Sequence, residues 1–278
     1  MLISVLMTVF NRKQTTLNCL SHLFENKLQE CTFKVFLVDD GCTDGTGEAV
    51  AKSFPEVNVI KSDGNLFWNR GMYRAWIEAL PSNADYYFWL NDDTLLNEDA
   101  ISVMLSVSSK YENKCIVTGS LCSPTDKERA TYGGLIDNQI VTPHGETIEC
   151  ETTNGNALLI PRGVMEKVGI LNYLYHHSRG DIDYGYRTRK AGFKILATPV
   201  FVGNCERHDQ SFKCYDPTVP FKKRFQYLYS PLGFKPNEVF EVSKLKGGVY
   251  EGCKAVILIH LRTLSPKIWN YVHGKLSK

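Results

Sequence analysis

Four short runs hold the side chains able to do chemistry. The first is Asn91-Asp92-Asp93. Carboxylates at a strand end can hold Mg2+ or Mn2+, which prefer oxygen ligands and share their coordination with substrate phosphates. Acids in the first turn of a following helix explain the same residues without a metal. The second run is Asp39-Asp40-Gly41 with Asp44-Gly45. A carboxylate there can accept hydrogen bonds from a ribose or a base, and Asp and Gly are equally the ordinary turn residues. The third, Gly180-Asp181-Ile182-Asp183, opens a helix. Asp181 there can act as a general base, and helix capping is the plainer account of it. The fourth, Cys205-Glu206-Arg207-His208-Asp209, offers His208 as a metal ligand or phosphate donor. An isolated histidine is more often neither.

Other chemistries are missing from the pattern. The first strand runs into TVFNRK, which has no glycine, and no G-x-G-x-x-G or Walker loop is present. A dinucleotide-binding enzyme is therefore not expected. No G-x-S-x-G element suggests a hydrolase. The nine cysteines include no C-x-x-C pair, against zinc and against a disulfide framework.

The elements that must position these runs alternate. Residues 3–9 read as a buried strand, and Leu17, Leu20, Leu23 and Phe24 make one stripe of a helix over 15–26. Residues 33–38 predict a strand ending at Asp39-Asp40. Helix-start chemistry in Thr43 and Asp44 follows, with a helix to about 54. A strand at 57–61, a loop at 62–69 and a helix at 70–80 come next. A strand at 85–90 then ends at Asn91, followed by a helix at 97–110 and a strand at 115–118. This order implies an α/β fold with a parallel sheet and right-handed crossovers. Ligands of such sheets sit beyond the carboxyl ends of the strands, where both acidic clusters fall. Residues 119–160 are rich in Gly, Thr and Pro, with a short strand at 156–160. Pro161 suits the first turn of a helix to about 168. A helix at 181–191, with Gly192 as its C-cap, leads to a strand at 193–198. From about 218 the pattern is helical, and 249–264 is apolar and amphipathic.

The 278 residues, 43% hydrophobic and 22% charged, suffice for one large α/β domain with or without a small appendage. The net charge of +2 gives no ground for a nucleic-acid partner. The charge is uneven. Residues 216–278 hold 11 Lys/Arg against 4 Asp/Glu, and residues 1–215 hold 21 against 26. A basic tail on an acidic body meets something anionic, or else is a solvated helical face. Phe221, Phe225, Tyr227 and Tyr229 interleave with Lys222, Lys223 and Arg224. That suits the surface of an anionic bilayer or a dimer contact. The N-terminal MLISVLMTVF has no basic region before it and is too short to span a bilayer. With the cysteine usage, the expectation is a cytoplasmic chain, peripheral on the inner face of the plasma membrane if the tail meets lipid.

Together, four segments resemble the inverting family-two glycosyltransferases with the GT-A fold. Residues 4–12, SVLMTVFNR, are similar to the family's opening strand and T-x-x-N-R turn. Residues 38–46, VDDGCTDGT, are close to V-D-D-G-S-T-D-G-T. Residues 89–94, WLNDDT, sit where the family has D-x-D. Asp181-Ile182-Asp183 and the following RTRKAGFKI resemble its E-D-x-D helix and the R-x-x-K-A-G-Y-K-I end. The likeness covers 1–215. Asn91 stands in place of the first Asp of D-x-D, Gly180 in place of the Glu of E-D, and Cys42 in place of Ser.

This resemblance implies a mainly parallel, Rossmann-like sheet flanked by helices. It implies a nucleotide-sugar half at 1–110, an acceptor half at 111–215 and a basic helical extension at 216–278. The donor would be a nucleotide-diphosphate-sugar and the acceptor a glycan or lipid-linked hydroxyl, in cell-surface polysaccharide or lipopolysaccharide assembly. Thr8, Asn11, Arg12, Asp39, Asp40 and Asp92 would hold the donor. Arg70 would reach a phosphate, with Asn65 and Trp68 lining the pocket. Asp93, with His208, would hold Mn2+ or Mg2+, and Asp181 would be the base. Asn154, Gly155, Asn156 and Asp183 would lie on the acceptor side. Two rivals remain. A non-catalytic relative that binds nucleotide or glycan would carry changes such as Asn91 and Gly180. A sugar nucleotidyltransferase shares the sheet type but opens with a Gly-rich basic loop, absent between Val9 and Leu17.

Overall fold

The apolar run Leu2–Val9 forms β1, which has a neighbour on each edge and is buried along almost its whole length. A strand covered on both faces reads as a continuous apolar run rather than an alternation. The computed structural model describes residues 1–26, 31–207 and 212–276, with side chains to 272. After β1 come α1 (Lys13–Glu25), β2 (Thr32–Asp39), α2 (Thr46–Ser53), β3 (Asn58–Lys61), α3 (Phe67–Ala79), β4 (Tyr86–Leu90), β5 (Leu95–Leu96) and α4 (Ala100–Lys110). The second half supplies β6 (Cys115–Cys122), β7 (Ala130–Tyr132), β8 (Gly134–Ile136), β9 (Gln139–Ile140), β10 (Ile148–Glu149), β11 (Thr152–Thr153) and β12 (Ala157–Pro161). It continues through α5 (Arg162–Val168), α6 (Gly180–Lys190) and β13 (Lys194–Asn204) to α7 (Phe221–Leu228), α8 (Pro236–Leu264) and α9 (Pro266–Leu276).

The main sheet runs β10-β13-β6-β12-β4-β1-β2-β3. β4, β1, β2 and β3 are parallel, as their helical crossovers require. β12 then enters between β4 and β6, antiparallel to both. β6 and β13 are parallel again. The result is a mixed sheet. The antiparallel insertion of β12 was not legible in the β-α alternation, because β12 arrives after the loop-rich stretch 119–156 rather than after a helix.

Alternate residues of each strand face opposite cores. On one face, Val5, Leu37, Phe88 and Leu159 pack against Leu20 and Leu23 of α1 and Met104 of α4. On the other, Leu6, Trp89, Leu158 and Ile195 pack against Met72 and Trp76 of α3 and Tyr184 of α6. Trp76, Trp89 and Tyr184 meet with ring centroids 5.1 to 5.5 Å apart. Tilted and edge-on aromatic contacts of this kind add about 0.5–1.5 kcal/mol each beyond area burial. This cluster ties the helix that begins at Gly180 to α3 and β4.

The chain packs as two compact units. One is Met1–Tyr173 with Gly180–Arg207, and the other is Leu174–Arg179 with the described residues of His208–Lys278. The second unit has its own small core of Cys214, Tyr215 and Leu228 beneath Phe225, Phe234 and Ile259. Within it, His176 Nδ1 lies 2.7 Å from Glu238 Oε1, and Arg179 stacks 4.5 Å from the Phe234 ring centre. α8 breaks at Gly247-Gly248, where Gly248 takes φ 82°, a value open mainly to glycine. Among the described residues, no helix is long and apolar enough to cross a membrane.

Candidate active site

β1 and β4 are neighbours, so the loops after Val9 and Leu90 leave the sheet side by side. That places Arg12 across the acidic pair. Its Nη1 donates to Asp93 Oδ2 at 2.8 Å and to Asp92 Oδ1 at 3.3 Å. Asp92 is buried, and burial, then the charge of Asp93, pushes its carboxyl up to about 7, with Arg12 offsetting part of the rise. Burial lowers the Arg12 guanidinium, and the two carboxylates outweigh it, leaving a net rise. Cys205 donates its thiol proton to Asp93 Oδ1 at 3.5 Å. Burial and the Asp93 charge hold that thiol protonated, far above the usual range. The buried Cys19 donates to the carbonyl oxygen of Asn91 at 3.3 Å.

Asn91 is the hinge between this acidic pair and the rest of the site. Trp68 Nε1 donates to Asn91 Oδ1 at 2.7 Å, and Asn91 donates its backbone N–H to the Asn156 carbonyl at 3.0 Å. The preceding residue, Gly155, donates its N–H to Asp181 Oδ2 at 3.2 Å. Asp181 Oδ1 accepts from the N–H of Ile182 at 2.9 Å. A Cβ on Gly155 would lie 2.5 Å from Trp68 Cζ2, and a Cβ on Gly180 would overlap Asn69 Oδ1. Glycine is needed at both positions so that α3, the 154–156 segment and the start of α6 can converge. The Oδ1 of Asn154 is buried without a hydrogen-bond partner among the described residues.

Asp40 enters this arrangement through the start of α3. Its carboxylate accepts from the N–H of Leu66 at 3.1 Å, the N–H of Phe67 at 2.9 Å and the Ser62 hydroxyl at 3.0 Å. An acid accepting the first helical N–H groups is an N-terminal cap in function. It explains why α3 begins at Phe67 and not at residue 70. Asp39 Oδ1 accepts from the Cys42 N–H at 2.8 Å, closing the turn into α2. Both acids are buried, so in this state they organise loops. Asn11 Oδ1 accepts from the Thr43 N–H at 2.8 Å, and Asp44 Oδ2 accepts from the Lys13 N–H at 3.1 Å, linking the loops after β1 and β2. Asn11 and Phe67 take φ 51° and 59°. Non-glycine residues adopt such values rarely, and strain of this kind gathers at functional loops.

The remaining expected residues divide. Thr8, half-buried, lies against Gly71 of α3, whose missing side chain makes room for it. Asn65 is exposed in the loop after Gly64. Arg70, expected to reach a phosphate, donates Nε–H to the Tyr173 carbonyl at 3.1 Å and stacks 4.5 Å from that ring centre. Asp183, expected on the acceptor side, is buried and accepts from Arg187 Nε at 2.7 Å. Arg187 also donates to the carbonyls of Val168 and Ile170, so that pair pins α5 to α6. His208 lies outside the described residues.

The donor set suits a hard divalent cation. Asp92 and Asp93 bring oxygen ligands and crowded negative charge that calls for a cation, which Arg12 supplies here. Among the described residues, no group of three or more His, Cys, Asp or Glu side chains forms a metal site. Mg2+ and Mn2+ bound through one or two carboxylates complete their shells with phosphate oxygens and water, so this half-site fits. A separate concavity lined by Asp85, Tyr86, Glu112 and Arg162 lies at the opposite end of β4, away from the acidic pair.

A mixed sheet of this order, flanked by helices, is an α/β fold of the GT-A class. The chain belongs to glycosyl transferase family 2, whose model matches residues 4–165. Solved glycosyltransferases share the fold. The mannosyltransferase PcManGT from Pyrobaculum calidifontis, in complex with GDP-Man and Mn2+, has TM-score 0.57 at 14% identity over 99% of this chain and 80% of its own. Residues 1–349 of S. aureus TarS, in complex with UDP-GlcNAc, have TM-score 0.61 at 10% identity over 99% of this chain and 92% of that one. A longer S. aureus TarS chain has TM-score 0.60 at 12% identity, and the present chain covers 54% of it. No curated protein matches the chain.

Sequence reasoning missed three contributors: Asn91 as the hinge, Cys205 on Asp93, and the direct Arg12–Asp93 pair. Only the neighbouring of β1 and β4 brings residues 12 and 93 together, and strand order is not written in local pattern.

Proposed function

We propose that this chain transfers a sugar from a nucleoside-diphosphate donor to an acceptor hydroxyl with inversion, with Asp181 as the base. The observation that carries this reading is the hydrogen bond from Gly155 to Asp181. It ties a helix-start carboxylate to the strand pair β12–β4, whose other end of contact is the acidic pair. PcManGT and TarS were solved with GDP-Man and UDP-GlcNAc, which supports the donor class.

In this reading the acceptor lies against residues 154–156. Asp181 takes the hydroxyl proton onto its carboxylate as the acceptor oxygen bonds the anomeric carbon. The bond from that carbon to the diphosphate breaks on the opposite face. General-base help of this kind is worth about 10²–10⁴-fold. Asp93, with Asp92 beside it, would hold Mn2+ or Mg2+, which when bound offsets charge on the leaving diphosphate. Arg12 turns from the carboxylates to the diphosphate, and Asn11 and the loop it braces shape the nucleoside side. Trp68 closes one wall. Residues 1–110 serve the donor and 111–215 the acceptor. A setting in cell-surface polysaccharide assembly rests on the family resemblance alone.

The test is a panel of nucleotide-sugars with Mn2+, scored for nucleotide release. Release from one donor, lost in excess chelator, supports the reading. Release from none contradicts transfer, and equal release in chelator removes the metal.

A further inference from the structure

We propose that the outer stripe of α8, beyond its glycine break, docks on an anionic lipid bilayer surface. After Gly248, the residues Tyr250, Ile257, Leu261 and Leu264 recur along one side of a helix of 3.6 residues per turn. Their exposures are 75, 58, 50 and 52%. On α9, Ile268 and Tyr271 are exposed to 65 and 64%. The inner side of the same α8 segment is in use. Thr263 is buried, Ile259 packs on the small core, and Arg262 stacks 4.0 Å from the Tyr215 ring centre. The helix therefore has its packing face, and the apolar stripe is a second face with nothing over it among the described residues. Lys254, whose Nζ lies 6.0 Å from the Tyr250 ring centre, shares that side between Tyr250 and Ile257, and folded chains rarely leave an apolar row of this size uncovered.

Charge selects the occupant. Between Gly252 and Val272 the basic residues are Lys254, Arg262 and Lys267, with no Asp/Glu; Arg262 is turned inward and Lys267 is exposed. Glu251, just before, pairs with Lys254 at 3.1 Å. A second copy docked on the same stripe would meet a surface of its own sign, with no free acid to pair. An anionic bilayer surface has the complementary sign, and each Lys or Arg near it adds to binding. Tyr250 and Tyr271 suit the headgroup layer, where amphipathic rings gather. No described helix is apolar enough to span, so α8 lies in the interface plane. The aromatic and basic run of α7 is less available: Arg224 donates Nε–H to the Thr263 carbonyl at 2.9 Å, and Phe225 packs inward.

Vesicle binding reads this surface and donor turnover reads the transfer reaction, so the two stand or fall separately. The full chain is sedimented with phosphatidylcholine vesicles and with vesicles of equimolar phosphatidylcholine and phosphatidylglycerol. The expected result is binding to the anionic vesicles alone, weakening as salt rises. The double substitution Ile257→Glu with Leu261→Glu is expected to lower affinity by about tenfold or more. Lys267→Glu, which leaves the stripe intact, is expected to lower it by about fivefold. Circular dichroism of each variant checks that the helices persist. Failure of the wild-type chain to bind anionic vesicles overturns the proposal, as does undiminished binding by the folded double variant. A wild-type dimer that the double variant splits, with no vesicle binding, assigns the stripe to a second copy and overturns it too.

Discussion

Gly155 donates its backbone N–H to Asp181 Oδ2 at 3.2 Å, and the next residue, Asn156, accepts from the backbone of Asn91. Three segments remote in sequence thus form one contact chain from a helix-start carboxylate to the acidic pair. The Gly155–Asp181 and Trp68–Asn91 links can each be broken by a single substitution, whereas the Asn91–Asn156 link is main chain to main chain.

Gly155→Ala should damage the chain of contacts at its tightest point. The new Cβ would lie 2.5 Å from Trp68 Cζ2 and 3.4 Å from Trp89 Cε3, and Trp68 is held by Asn91. Overpacking of this kind costs about 1–3 kcal/mol. Urea unfolding should show that loss, and turnover should fall with it because the displaced segment carries the N–H of residue 155 away from Asp181 Oδ2. Unchanged stability and turnover would mean the segment yields freely.

Asp183→Ala should act on stability and not on acceptor recognition. The substitution leaves the Arg187 guanidinium without its buried carboxylate. Loss of a charge-assisted hydrogen bond costs about 1.5–3 kcal/mol. A lowered urea midpoint with an unchanged acceptor KM is expected. A stable variant with a raised acceptor KM would return Asp183 to the acceptor side.

Asp93→Asn should weaken Mn2+ binding, read by titration calorimetry in the absence of donor, by at least about tenfold. Arg12→Gln should act in the opposite direction on the metal. It removes the cation that sits on both carboxylates, so Mn2+ binds tighter to the free protein while the donor binds more weakly. Equal Mn2+ affinity in all three proteins would place the metal elsewhere.

Thiol labelling tests the packing around the site. Cys253 is exposed and should react with iodoacetamide first. Cys42 is half-buried, and burial, then its hydrogen bond to Asp39, pushes its thiol up to about 11. Because thiolate is the reactive form, its labelling should rise steeply with pH between about 9 and 11. Cys19 and Cys205 are buried, burial raises both thiols, and both should label only on unfolding. Fast labelling of Cys205 in the native chain would contradict its contact with Asp93. Peptide mass spectrometry reads each site.

Much of the fold was legible because apolar periodicity is local. Residues 3–9, 33–38 and 85–90 fall inside β1, β2 and β4 or within a residue of them, and the helix at 181–191 differs from α6 by one residue at each end. The acidic pairs at strand ends were visible for the same reason. What local pattern cannot carry is pairing. The antiparallel insertion of β12, the cap that Asp40 places on α3, and Arg12 lying over Asp93 all join residues more than 25 positions apart. Arg70 and Asp183 show the converse. Both had residue types suited to phosphate or acceptor, and both are held by partners, Tyr173 and Arg187, that no motif names.

The mechanism turns on whether the Asp181 carboxylate takes the acceptor proton. Asp181→Asn keeps the shape of the side chain and an oxygen to accept from Gly155, but removes the basic carboxylate. Turnover and donor affinity are to be measured on one preparation of this variant. Turnover should fall by about 10²–10⁴-fold while donor affinity stays as in the wild type. Near-normal turnover in a folded variant would show that Asp181 is not the base.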